Sequence, residues 1–402
     1  MSDSRETSFV SQYCFAPEVM KQLHPPERVT VHDVTLRDGE QQAGVAFNAS
    51  EKIEVAKQLD EAGVDRIEAG FPAVSKKDFE AIKTIANLGL RAQIYAFCRC
   101  TKTDVDNAVA TGVKGVAMEI PSSDHMLRYA YKWSEDKSIQ LATEATAYAH
   151  DKGLRVTFFT IDSTRADFET CWRLISSVAE DGYMDSLALV DTIGVCSPHA
   201  ISYFVSEVKK RVKKPVEIHV HNDFGLGVAN TIAAVLSGAE TVHVSVNGIG
   251  ERTGNASLEQ TIMALKFLYR IESNVRPEKL RKLSKTVAEF SRVFPPPQAP
   301  VIGDGIYTIE SGIVGGWWVN VEKVRPVEIF PFLPSVVGHE QPKIVVGKKS
   351  GKDTVMYKAK MLGLELSEKR VEEALEMVKD RATLYKRALS DAEFAQIVKS
   401  LQ

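Results

Sequence analysis

The chain of 402 residues holds no stretch of about 18 apolar residues free of charge and helix breakers, which argues against a membrane-spanning helix. It carries no excess of either charge. Its 50 Lys and Arg stand against 53 Asp and Glu, a net of −3, which excludes a strongly basic nucleic-acid binder and an acidic disordered chain. Cysteine is sparse and unpatterned: Cys14, Cys98, Cys100, Cys171 and Cys196 form no disulfide framework. The first residues, MSDSRETSFV, are too polar for a secretory signal, so the expectation is a reduced, cytoplasmic protein. What the chain does have is 44% apolar residues over a length greater than one ordinary core, which predicts one large domain and a smaller companion.

From Arg28 to about Leu283 one rhythm repeats: a β-branched or aromatic run, a polar loop, then an amphipathic stretch. The runs are Val29–Val34, Arg66–Ala69, Ala92–Phe97, Gly115–Ile120, Arg155–Ile161, Ser186–Val190, Val216–Val220 and Thr241–Val246. Between the first two, Ile53, Ala56, Leu59 and Ala62 fall on one helical face, and Asn48 with Glu51 marks that helix's start. Eight alternating βα units predict an α/β fold, a (β/α)8 TIM barrel; a doubly wound sheet would want a glycine fingerprint after its first strand, and none is there. Phe294-Pro295-Pro296-Pro297 reads as a linker. The expected division is an N-terminal extension over 1–27, a barrel over 28–285, and a linker with small α+β C-terminal accessory subdomains over 286–402. Within the last, Ser311–Trp318 is rich in Gly and Trp, Lys343–Val346 is extended, and Ser367–Gln402 is helical.

In such a barrel, chemistry sits at the carboxyl ends of the strands. His219-Val220-His221 ends the seventh run, and alternate residues of a strand face the same way, so both imidazoles turn toward the cavity and suit a divalent metal. Read blandly, the pair merely hydrogen-bonds in a loop. Asp38 follows the first run, which only the eighth strand separates from the seventh, so it can supply a third ligand. Glycines in the loop after the eighth run allow tight turns that can bring the Asn255 amide oxygen inward; the loop can equally be an ordinary barrel-closing turn. Such an O/N set fits Mg, Mn, Zn or Co. Arg37, beside Asp38, is a salt-bridge partner or, facing a cation, one arm of a clamp on an anion such as a 2-oxo acid. Thr192 ends the sixth run and can either bind a substrate carboxylate or cap the next helix.

Taken together, TLRDGEQ (Thr35–Gln41), IEAGFP (Ile67–Pro72), the Asp191–Gly194 turn, HVHNDFGLGVAN from His219 and NGIGERTGNASLE from Asn247 resemble the 2-isopropylmalate synthase and homocitrate synthase family, related to the hydroxymethylglutaryl-CoA lyases. The resemblance implies a TIM barrel with small following subdomains, a homodimer, and a divalent-metal-dependent Claisen-type condensation of an acyl-CoA, usually acetyl-CoA, with a 2-oxo acid. It implies Asp38, His219 and His221 as metal ligands with Asn255 a further or water-mediated one, Arg37 and Thr192 as the oxo-acid clamp, and Gln41 and Glu68 lining the same cavity. Metal and Arg37 would then polarise the keto group, a base would take a proton from the acyl-CoA methyl group, and the enolate would attack the keto carbon.

The chain also departs from that family. A histidine usual after Glu310-Ser311-Gly312-Ile313 is Val314 here, and a following tyrosine has no clear counterpart near Val327-Glu328-Ile329-Phe330. The family's F-S-x-E turn reads Phe159-Thr160-Ile161-Asp162, with Thr160 as a substrate contact and Asp162 as a shorter carboxylate. The base falls to His339, Asp162 or a metal-bound hydroxide. Phe97 stands two before Arg99, where homocitrate synthases carry a histidine for a distal carboxylate, and Ala117 replaces a commonly polar residue. Both changes predict an oxo acid with an apolar tail. A retro-Claisen lyase and a noncatalytic metal-binding homologue are the alternatives, and the Gly248–Asn255 turn favours the synthase. The chain stops at Gln402 without the regulatory domain of leucine-sensitive relatives, so no feedback by that route is expected.

Overall fold

Each β-branched run becomes a strand because its alternate side chains can be buried on two faces at once, as a closed parallel sheet requires. The computed structural model describes residues 4–23 and 25–402; residues 1–3 and 24 of the expected N-terminal extension lie outside the described residues. The strands are β1 Thr30–Asp33, β2 Arg66–Glu68, β3 Gln93–Arg99, β4 Gly115–Pro121, β5 Arg155–Ile161, β6 Ser186–Asp191, β7 Val216–Val220 and β8 Thr241–Val244. They pair in sequence order, and β8 returns to β1 with Thr30 opposite Thr241 and Asp33 opposite Val244, which closes the barrel. Helices Ala49–Ala62, Lys76–Ala86, Lys102–Thr111, Glu135–Asp151, Phe168–Asp181, Pro198–Arg211, Gly227–Leu236 and Leu258–Tyr269 follow the strands in turn.

The helix starts obey local chemistry. Asn48 and Glu51 form the expected capping box, and Ser75, Thr101, Ser134, Asp167, Ser197 and Ser257 each accept a backbone N–H of their own first turn. In Phe168–Asp181 the buried Cys171, Leu174, Ile175 and Val178 make the inward stripe, so this cysteine is packing, its thiol pushed up to about 12 by burial. Three observed strands, β1, β2 and β8, are shorter than their runs, and β2 ends at Glu68. Past Asp33 the backbone is taken by a turn in which Thr35 N–H donates to Asp33 Oδ1 at 2.9 Å, and past Val244 a tight turn at Val246–Gly248 opens the glycine loop.

Alternation divides the barrel interior into two halves. On the β1, β2, β7 and β8 side the inward residues are His32, Arg66, Glu68, Glu217, His219 and His243. On the β3 to β6 side they are Phe97, Ala117, Phe159, Ile161, Ala188 and Val190, one buried apolar cluster. The site lies where these halves meet.

Two compact units are resolved. One is Gln12–Pro295, which contains the barrel; the other is Met1–Ser11 with Pro296–Gln402. In the second, strands β9 Thr308–Ile309 and β10 Lys343–Ile344 pair in parallel, and Phe9 N–H donates to the Pro331 carbonyl. The Gly- and Trp-bearing segment is helix Gly312–Val321, and the helical end is two helices, Val371–Tyr385 and Asp391–Ser400. These two pack with helix Lys352–Met361 around Val355, Ala374, Val378, Phe394 and Ile397. Among the described residues no helix is long and apolar enough to cross a membrane.

Candidate metal and substrate site

Asp38, His219 and His221 converge at the carboxyl ends of β1 and β7, all buried. Asp38 Oδ2 lies 3.6 Å from His219 Nε2 and 3.7 Å from His221 Nε2, and the two Nε2 atoms are 3.4 Å apart. The point equidistant from the three atoms of that triangle is about 2.1 Å from each, the length of a metal–imidazole or metal–carboxylate bond. Burial depresses His219 to about 3 and lowers His221 as well, so both rings are neutral at pH 7 and can offer lone pairs. Burial works the other way on Asp38, but Arg37 and the two histidines override it and hold the carboxyl well below its usual range. The donor set therefore fits a divalent cation by charge state as well as by distance.

The glycine loop keeps Asp38 in place. Its Oδ1 accepts from Glu251 N–H at 3.2 Å and from Asn255 Nδ2 at 2.8 Å. Asn255 bridges to His221, while its own Oδ1 is buried and unbonded. The structure thus turns the amide nitrogen of Asn255, not its oxygen, to Asp38; the expected ligand oxygen is present but unused. Gly250 is required by space: a Cβ there would stand 2.2 Å from Asn255 Nδ2 and 2.7 Å from Asp38 Oδ1. Gly254 has φ of 90°, and its Cβ would lie 1.8 Å from the Gly248 carbonyl oxygen.

Arg37 is fixed on three sides. Its Nε donates to Glu68 Oε1, its Nη1 donates to Asp38 Oδ2 at 2.8 Å and to Gln41 Oε1 at 3.1 Å, and its guanidinium carbon stands 4.4 Å from the Phe97 ring centre. Only Nη2 is buried without a partner. Burial would raise Glu68, but Arg37 and His32 pull it down to about 2, so the carboxylate is ionised and bound at both ends, with Oε2 at 3.1 Å from His32 Nε2. Glu68 and Gln41 hold the arginine.

The remaining sequence candidates divide. Phe97 and Ala117 face the interior side by side in register, and the Phe97 ring meets Phe159 at 6.0 Å. Thr192 Oγ1 accepts Asp162 N–H at 2.8 Å, which leaves its own proton to donate. Three residues of the barrel unit are not brought into the group. Thr160 donates its hydroxyl to the Ala188 carbonyl at 2.9 Å, because it alternates with the inward Phe159 and so faces outward. Asp162, at φ 64°, is turned onto both arms of Arg165 (2.6 and 2.9 Å) and accepts from Ser123 Oγ at 2.5 Å, so three of its four lone-pair sites are taken and its carboxylate is held by an ion pair. Arg99 is mostly exposed and held by Asp104 through Nε at 2.8 Å and Nη2 at 3.0 Å. His339 belongs to the second unit, where Nδ1 meets Glu340 Oε2 at 3.1 Å and the ring packs edge-on to Tyr307.

Sequence reasoning missed the charged column beneath the site. Glu217 Oε1 accepts from Arg66 at 2.6 Å, its Oε2 lies 2.7 Å from His243 Nε2, and the His243 ring stacks on His32 at 4.3 Å, which leads to Glu68 and Arg37. Burial would raise Glu217, but Arg66 and His243 hold it well below its usual range. The signal was available: Glu217 stands two residues before His219, so the alternation that turns the histidines inward turns it inward too. Glu119, two after Ala117, was missed in the same way. Arg252, which clasps Asp223 (2.9 Å) and the Thr192 carbonyl (2.7 Å), carried no pattern of its own.

A closed eight-stranded βα barrel with a carboxylate and two imidazoles gathered at its carboxyl end defines a barrel enzyme with a candidate divalent-metal site. The chain belongs to the HMGL-like family, whose model matches residues 28–287. It is 43% identical over 355 residues to a protein of Methanopyrus kandleri named probable 2-isopropylmalate synthase, covering 88% of this chain and 70% of that one. It is 38% identical over 381 residues to the homocitrate synthase AksA of Methanothermobacter thermautotrophicus, covering 95% and 96%. In fold it matches a Bacillus subtilis HMG-CoA lyase with a TM-score of 0.61 at 23% identity, over 69% of this chain and 98% of that one.

Proposed function

We propose that this protein condenses an acyl-CoA, acetyl-CoA in the first instance, with a 2-oxo acid bearing an apolar side chain, releasing CoA and a 2-substituted malate. The observation that carries the proposal is the triangle of Asp38 Oδ2 and the two Nε2 atoms, with edges of 3.4, 3.6 and 3.7 Å, beside an arginine with one unbonded donor. The synthase names of its relatives support the acyl-transfer class.

In this reading Asp38, His219 and His221 hold Mg, Mn, Zn or Co, and a cation bound there supplies Lewis acidity toward the keto oxygen. Arg37 donates through Nη2 to the same oxo acid, and its fixed position means that little reorganisation is needed as negative charge develops. Thr192 donates its remaining proton to the substrate carboxylate. Phe97, Ala117 and Phe159 enclose the tail and exclude water from it. The new bond joins the acyl methyl carbon to the keto carbon, the methyl proton leaves to a base, and water cleaves the thioester. Asp162, paired with Arg165 and Ser123, is a weaker base than a free carboxylate would be. The protein acts in the aqueous phase on small molecules, as a homodimer.

The test is free-thiol release from acetyl-CoA with a panel of 2-oxo acids, with and without Mg or Mn. Metal-dependent release with apolar-tailed acids is expected. No release with any acid, while the metal still binds, overturns condensation and leaves a metal-binding homologue.

A further inference from the structure

Among the described residues, the carboxyl of Glu119 is the one acidic group on the cavity face of the barrel's apolar half. It lies on β4 two residues beyond Ala117, so it faces the same way, and its register neighbours are Arg99 on β3 and Phe159 on β5. Phe159 in turn lies 5.1 Å ring to ring from His219. Glu119 thus stands one residue across the sheet from the side chain that touches a metal ligand. It also lines a cavity of about 470 Å³ with Arg99, Tyr131 and Trp133.

Among the described residues nothing pairs with this carboxyl. Its two neighbouring cations are spoken for: Arg99 is held through two nitrogens by Asp104, and Arg37 by Glu68, Asp38 and Gln41. A partly buried carboxyl with no partner in the protein, opening on a cavity, is placed for a ligand to complete it. Burial raises it to about 7, although Arg37 and Arg99 pull against that, so at neutral pH it can accept a hydrogen bond or donate one.

We infer that Glu119 reads the far end of the 2-oxo acid, favouring a tail whose apolar carbons pass Phe97 and Ala117 and end in a hydrogen-bond donor. This rests on the condensation proposed above for the oxo-acid end, and it concerns the tail alone. A terminal hydroxyl gives the carboxyl the partner it lacks. A terminal methyl leaves it unpaired. A terminal carboxylate meets it with like charge. The expected order at equal length is therefore hydroxyl, then methyl, then carboxylate.

The experiment compares 2-oxopentanoate, its 5-hydroxy analogue and 2-oxoglutarate with the wild-type chain, Glu119→Gln and Glu119→Leu, reading kcat/KM for CoA release. Glu119→Gln should relieve discrimination against 2-oxoglutarate by at least about tenfold, and Glu119→Leu should place the methyl tail above the hydroxyl tail. Absolute rates are free to fall; the ratios are the readout. The same acids are also ranked by the rise in melting temperature each causes in the presence of Mn, which reads tail selection whether or not acetyl-CoA is turned over. Ratios and thermal ranking that stay within about twofold of wild type in both variants overturn the role of Glu119. Absent CoA release with an intact thermal ranking overturns the condensation and leaves the tail reading standing.

Discussion

A carboxylate inside this barrel is handled in one of three ways, and its immediate neighbours decide which. Asp38 is ionised and surrounded by donors; Glu68 and Glu217 are ionised and locked between an arginine and a histidine. Glu119 alone faces inward unpaired, with Arg37, Arg99, Asp104, Glu68, Tyr131 and Cys100 as the charged or titratable groups around it. Its ordinary value of 4.5 is raised to about 7 in the folded chain. The folded state therefore holds this proton more tightly than the unfolded one, so the stability linked to it is complete below about 4.5 and lost as pH rises through about 7. Glu119→Gln removes the penalty of the buried charge. Its melting temperature should match wild type near pH 4.5 and exceed it by a growing margin up to pH 8. A difference that is constant across that range, in parallel thermal scans, would show that the carboxyl is not desolvated in solution.

At the scale of elements, the loop after β8 does more than close the barrel. Glu251 N–H and the Asn255 amide grip the carboxylate oxygen of Asp38 that does not face the histidines. Gly250 leaves no room for even a methyl group between them, since its Cβ would fall within 2.7 Å of both. Gly250→Ala should therefore displace Asp38 and weaken Mn affinity by about ten- to a hundredfold, measured by calorimetric titration, with helix content unchanged by circular dichroism. Unaltered affinity would mean that the loop yields and Asp38 does not depend on it. The same loop shows how much the sequence reveals. The run of glycines marked it, and period-two alternation made the eight strands and the His219–His221 pair legible, although the same alternation, carried to Thr160, Glu217 and Glu119, would have turned the first outward and the other two inward. Pairing was not legible. Whether Asp162 is a free base or a locked strut depends on Ser123, 39 residues away in the chain, and on a left-handed backbone that turns it onto Arg165. The amide face that Asn255 shows to Asp38, and the Asp104 that captures Arg99, are likewise products of packing rather than of spacing.

For the barrel as a whole, the polar half is a single column of compensated charge running from Arg66 through Glu217, His243, His32 and Glu68 to Arg37, with the proposed metal site as its open end. Inside the column the carboxylates are paired with Arg66, His243, His32 and Arg37, while its open end gathers the three donors Asp38, His219 and His221. A ligand that binds only the folded chain stabilises it by mass action, about 2.7 kcal/mol when present at 100 times its dissociation constant. For a barrel of this size that is a rise of roughly 5 °C in melting temperature. Mn should produce that rise in the wild type, and EDTA should reverse it. Asp38→Asn should abolish it, because the one charged corner of the triangle becomes neutral. Glu217→Gln is the contrasting case: it leaves Arg66 buried and uncompensated, so it should lower the baseline by about 3–5 kcal/mol while the Mn-induced rise persists, since no ligand is touched. Should Asp38→Asn keep the Mn response, or Glu217→Gln lose it, the cation would have to sit deeper in the column, at His32 and His243, and the assignment of the open end would fall.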